Sequence, residues 1–121
     1  MQVVVSSIHT GVTNKQKSYI NKKIGNLDKY LPRRHRSEPR AEVRIKEVEA
    51  KRQKGLICEV SLKLPKETLI ISETNVNLYV AVNIIEAKLK LGLKKYKDTH
   101  YSPKSRQKIA RRLRWNPGTT L

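Results

Sequence analysis

The chain contains no phenylalanine, one tryptophan, one cysteine and only 10 acidic residues in 121. Each scarcity excludes something. A single cysteine, Cys58, rules out an intrachain disulfide. In "CEVSLKL" it alternates with Val60, Leu62 and Leu64, as a small core residue would. His9, His35 and His100 fall in three separate segments with no metal-ligand spacing, so neither zinc nor any other cofactor is expected. No apolar run approaches the roughly 18–20 residues of a membrane span. The opening "MQVVVSSIHTGVT" lacks the charged start, apolar block and small-residue cleavage site of a signal peptide. It reads directly as a strand, so the chain is expected to be unprocessed and cytoplasmic. A glycine-rich phosphate loop, GxSxG and HExxH are all missing, which argues against an enzyme.

What the chain has in excess is positive charge: 27 Lys and Arg, for a net charge of +17. In a chain of single-domain length this implies a polyanionic partner, nucleic acid before an acidic membrane. The charge is unevenly spread. Residues 13–31 carry +4, residues 32–40 carry +3, residues 76–97 carry +4 and residues 102–121 carry +6, whereas residues 41–75 carry only +1.

Periodicity assigns elements to these segments. "QVVVSSIH" is a short strand, and Thr13 opens a Thr-x-x-Gln capping box. Ile20, Ile24, Leu27 and Leu31 then form the buried stripe of a helix that ends at Leu31-Pro32. After the basic loop "PRRHRSEPR", "AEVRIKEV" and "LICEVSLKL" alternate as strands about a turn in "EAKRQKG", and "TLIIS" follows as a further strand. "AKLKLGLKKYK" alternates too, but only as the last third of a 22-residue stretch. Across residues 76–97 a helical projection aligns Leu78, Val82, Ile85, Leu89, Leu93 and Tyr96. A helix is therefore expected there, with Lys88 and Lys95 on one side of the stripe and Lys90, Lys94 and Lys97 on the other. A second apolar line, Val80, Ile84, Ala87 and Leu91, lies opposite the core.

The resulting fold class is α+β. The order β-α-β-β-β-α gives a mostly antiparallel four-stranded sheet with two helices on one face, as in double-stranded-RNA-binding domains. The near-neutral strands and positive helices make the helical side the expected binding face. The other sheet face, with Glu42, Arg44, Lys46, Glu59, Ser61 and Lys63, is expected to be solvated. No aromatic residue falls in the assigned strands, so base stacking on the sheet is not expected; phosphate contacts and recognition by shape are.

Two longer stretches carry a resemblance. "VTNKQKSYINKKIGNLDKYL" resembles the first helix of the ribosome hibernation-promoting factors, also called the ribosome-associated inhibitor or protein Y family. "EVSLKLPKETLIISETNVNLYVAVNIIEAKLKLGLKKYK" is similar to that family's strand–Pro–strand–helix signature. The match spans about residues 1–98. The resemblance implies a stress or stationary-phase protein bound through both helices to rRNA in the decoding channel of the small ribosomal subunit. There it would block mRNA and tRNA and inhibit translation. It implies rRNA contacts at Lys22, Lys23, Lys29, Lys88 and Lys95. Asn77 stands where the family often has Asp, and Lys90-Leu91 replaces a common Glu-Arg pair. In place of the long form's C-terminal domain comes "SPKSRQKIARRLRWNPGTTL", so a direct role in pairing ribosomes is not expected.

The expected organisation is a ribosome-binding domain over residues 1–101 and a basic tail over 102–121, monomeric off the ribosome, with neither a small-molecule substrate nor a membrane as partner. Arg33, Arg34, Lys90, Lys94, Arg111 and Arg112 join the five lysines above as candidate rRNA-binding residues. Within the tail, residues 108–115 are a candidate to cover the second apolar line. A permanent rRNA-binding protein of the ribosome is the competing reading, because basic tails are common there.

Overall fold

A computed structural model describes residues 1–8, 10–50 and 53–101 of the chain. Strand β1 (Gln2–Ile8) is followed by helix α1 (Asn14–Gly25). Strands β2 (Arg40–Ala50), β3 (Gln53–Lys63) and β4 (Thr68–Asn75) come next, and helix α2 (Leu78–His100) follows. The strands lie in the order β1-β2-β3-β4. The β1/β2 pair is parallel and the other two pairs are antiparallel. The α1 crossover forces the one parallel pair, since reversing direction twice brings β2 back along β1.

Both helices cover one face. Ala41, Val43, Ile45, Cys58, Val60 and Leu62 point from the central strands into the same core as Ile20, Ile24, Leu27 and Leu31. All six residues of the expected α2 stripe, Leu78 through Tyr96, are buried with them. The second apolar line stays outside: Leu91 is 68% and Val80 41% exposed.

Several boundaries differ from the sequence reading, β4 continuing past "TLIIS" to Asn75 and α2 past Lys97 to His100. The first helix does not run unbroken to Leu31: α1 stops at Gly25, and Asn26–Tyr30 tighten into a 3-10 turn. Gly25 and Asn26 are weak helix formers, and the tighter turn still buries Leu27 and Leu31. The hairpin strands extend well into "EAKRQKG", where ladder pairing puts Glu49 opposite Lys54. Helix α2 begins after Asn77, not at Val76, because the Asn77 side chain accepts the Tyr79 N–H at 2.9 Å. Its own N–H donates to the Asn75 side chain. Asparagine thus performs the cap that a carboxylate could perform at the same position.

Gly92 interrupts a lysine- and leucine-rich helix for a packing reason. A Cβ there would lie 3.1 Å from Leu69 Cδ1 on β4, so the missing side chain lets helix and strand approach. On the opposite sheet face Arg44 bridges Glu42 and Glu59 at 3.4 and 3.5 Å, and Lys63 meets Glu42 at 3.1 Å. Lys63 holds the Glu42 carboxyl below the usual carboxylate range. Ser61 departs from the expected solvation. Its short side chain, between Glu42 and Ile70 in register, is only 8% exposed.

Candidate nucleic-acid interface

The helices touch in step along the chain, which means that they run parallel. Tyr19 donates its hydroxyl to Asn83 Oδ1 at 2.6 Å, and its ring meets Tyr79 edge to face at 4.8 Å. One turn on, Lys23 lies 3.8 Å from Glu86. Further on, Lys90 and Lys94 of α2 reach the Tyr30 ring, 5.4 and 6.0 Å from its centroid, and Lys29 approaches the same ring at 5.3 Å. Between the helices opens a cavity of about 220 Å³ lined by Lys23, Asn26, Leu27, Lys29, Tyr30, Glu86 and Lys90. Part of this placement serves the helices themselves: Lys22 and Lys23 in the last turn of α1, and Lys97 in that of α2, face the negative ends of the helix dipoles.

Beyond Tyr30 the basic loop forms a 3-10 turn at Arg33–His35. Arg36 has a structural task there, donating to the carbonyls of Leu31 and Lys29. His35 stacks on Tyr101 with centroids 4.4 Å apart, accepts from Arg34 Nε at 3.2 Å and is hydrogen-bonded to Glu38 through Nδ1. Pro32, Arg33, Arg34 and Tyr101 line an open depression of about 540 Å³. The Tyr96 hydroxyl accepts the Lys66 N–H and lies 3.2 Å from Tyr101 Oη; burial first, then this neighbour, pushes it up to about 12.

The structure therefore sorts the candidate residues into groups. Lys23, Lys29, Lys90 and Lys94 come together at the cleft between the helices. Lys22 lies exposed on α1, and Arg33 and Arg34 sit at the far end of α2 beside Tyr101. Lys88 forms an ion pair with Glu73 of β4, and Lys95, two turns later, shares that β4 side of α2. Arg111, Arg112 and the rest of 102–121, with the boundary proposed for that tail, lie outside the described residues. Tyr30 and Tyr101 are members the sequence reading missed. It sought aromatics only in strands, whereas these two follow helix-ending segments, and only the fold surrounds them with cations.

Comparison with known proteins agrees with this architecture. The chain is similar in fold to the N-terminal domain of Thermus thermophilus Protein Y, with a TM-score of 0.66 and 22% identity over 79% of this chain and 99% of that one. A ribosomal subunit interface protein from Coxiella burnetii matches at a TM-score of 0.64 and 20% identity, over 80% of this chain and 98% of that one. In sequence, a ribosome hibernation promotion factor of Lactococcus lactis subsp. cremoris (strain MG1363) is 36% identical over 86 residues, which are 71% of this chain and 44% of that relative. The chain thus spans less than half the length of that relative. Residues 3–100 match the family described as Sigma 54 modulation protein / S30EA ribosomal protein, and the chain belongs to it.

Proposed function

We propose that the chain is a non-enzymatic ribosome hibernation factor that binds the rRNA of the small subunit in the decoding channel. It holds the ribosome idle by excluding mRNA and tRNA. One observation carries the reading beyond family likeness: four lysines from α1, its 3-10 extension and α2 meet at one cleft, facing away from a sheet face on which Arg44 and Lys63 are paired with Glu42 and Glu59. A surface of this kind tracks phosphates, and phosphate contacts position a protein without reading sequence. Lys22, Arg33 and Arg34 extend it along α1 and past its end. Lys88 and Lys95 offer contacts on the β4 side, at the cost of the Glu73 pair for Lys88.

Co-sedimentation with purified small subunits, together with inhibition of cell-free translation, tests the proposal. Lys90→Glu with Lys94→Glu should abolish both, while Lys46→Glu with Lys63→Glu on the sheet face should change them little. Equal losses from the two pairs would show that the wrong face has been assigned. Sucrose gradients across growth phases separate this reading from a permanent ribosomal protein. A hibernation factor joins ribosomes when growth stops, whereas a structural component is present throughout.

A further inference from the structure

Three ammonium groups surround one tyrosine ring at the helix junction, and their arrangement requires an explanation. Lys29, Lys90 and Lys94 all lie within 6.0 Å of the Tyr30 centroid. Among the described residues, none of them has a carboxylate at ion-pair distance. The ring's negative face attracts each ammonium, but it cannot neutralise three of them. Lys23, Lys29 and Lys90 line the cavity together with one carboxylate, Glu86, which Lys23 meets at 3.8 Å, while Lys94 approaches from the Tyr30 side. Like charges gathered this closely raise the energy of the free protein, and a compact anion between them lowers it.

The cavity itself narrows the choice of anion. At about 220 Å³ it is smaller than the roughly 300–1,000 Å³ of pockets that enclose drug-sized ligands. It has room for one or two phosphoryl groups. Asn26 adds an amide donor and Tyr30 a hydroxyl, so charged and neutral donors are both at hand. Its walls are fixed without any nucleic acid. Leu27 is anchored in the core, and Tyr19–Asn83 and Lys23–Glu86 tie α1 to α2.

We propose that this pocket is a preformed receptor for a phosphate group, able to take free pyrophosphate or the polyphosphate end of a nucleotide as well as a backbone phosphate of RNA. A consequence follows that rests on the small-subunit reading. rRNA has to displace whatever phosphoanion the pocket holds, so soluble polyphosphates oppose ribosome binding by more than their ionic strength accounts for.

Calorimetric titration of the full chain with pyrophosphate at fixed ionic strength tests the receptor, with amide NMR shifts as the map. Saturable binding at one site is expected, with shifts confined to residues 23–30 and 86–94. Lys90→Gln with Lys94→Gln should weaken it by about tenfold or more, since two charge-assisted contacts are lost. Lys46→Gln with Lys63→Gln removes the same net charge and should leave it nearly unchanged. Glu86→Gln, which deletes the opposing carboxylate, should tighten it several-fold. Equal weakening in both double variants, or shifts spread over every basic segment, would reduce the binding to diffuse attraction by a +17 chain and overturn the receptor. The second arm adds pyrophosphate, or sodium chloride of equal ionic strength, to the complex with small subunits. Greater release by pyrophosphate supports a site shared with rRNA; equal release overturns the sharing. A protein that never binds small subunits would defeat the functional reading alone, because the titration contains no ribosome.

Discussion

Tyr30 gains its surroundings from the fold, and Cys58 shows the reverse case, a residue whose chemistry the fold suppresses. Burial raises the Cys58 thiol from 9.0 to about 11. As pH rises the unfolded chain loses this proton first, so the stabilisation is complete below pH 9. It is lost between pH 9 and about 11, by up to about 2–3 kcal/mol. Urea unfolding over this window should show a decline that Cys58→Ala reduces. An undiminished decline in the variant would place its origin elsewhere. The raised Tyr96 hydroxyl acts in the same direction, but only from about pH 10 upward. At pH 8 iodoacetamide should modify native Cys58 at least about 100-fold more slowly than the unfolded chain, because the buried thiol is less ionised and also out of the reagent's reach. The Cys58 site is a piece of the core and holds no reagent-accessible nucleophile.

Among the elements, α1 depends on its first turn more than a core helix usually does. Its capping box is complete: Thr13 Oγ1 accepts the Gln16 N–H at 3.1 Å, and the Gln16 side chain accepts the Thr13 N–H at 2.9 Å. Acidic residues are absent from that turn, so no side-chain charge offsets the helix dipole there. Thr13→Ala should therefore cost about 0.5–2 kcal/mol, read from the denaturation midpoint. In α2 the opposing terms at Gly92 can be separated. Alanine gains up to about 1 kcal/mol of helix propensity and displaces only the end of the half-buried Leu69 side chain, so Gly92→Ala should be neutral or mildly stabilising. Valine at the same position would push α2 off β4, and Gly92→Val should lose about 1–3 kcal/mol. Thermal melts of the pair check both the sign and the contact.

For the whole molecule, charge and packing are divided between layers. On the sheet's outer face Arg44 and Lys63 pair with Glu42 and Glu59, while Lys29, Lys90 and Lys94 of the helical layer have no carboxylate at ion-pair distance among the described residues. If about five to eight lysines and arginines contact phosphates, log K for small-subunit binding should fall against log salt with a slope of about −4 to −7. Losing Lys90 and Lys94 should lower the magnitude of that slope by about 2. A slope near zero in filter-binding or sedimentation titrations would remove the electrostatic mechanism altogether.

Local patterns of the sequence were sufficient for much of the fold. Alternation in "CEVSLKL", the i, i+4, i+7 spacing of Ile20, Ile24 and Leu27 and the stripe from Leu78 to Tyr96 each fix which face is buried, because one face per element must leave water. The same patterns placed the positive charge on the helices. Element ends were less legible, since the 3-10 turn after Gly25 and the longer β2–β3 ladder follow from packing and cross-strand pairing that no window of sequence contains. The grouping of the lysines was decided by tertiary structure alone. Helical projection put Lys88 and Lys90 on opposite sides of one stripe, but it could not show that Glu73 waits on one side and Tyr30 on the other. Those neighbours lie 15 and 60 residues away along the chain. Only the parallel packing of α1 and α2 over one sheet brings Lys29, Lys90 and Lys94 around a single ring, because the positions of charges from separate elements are set by the shared core beneath them.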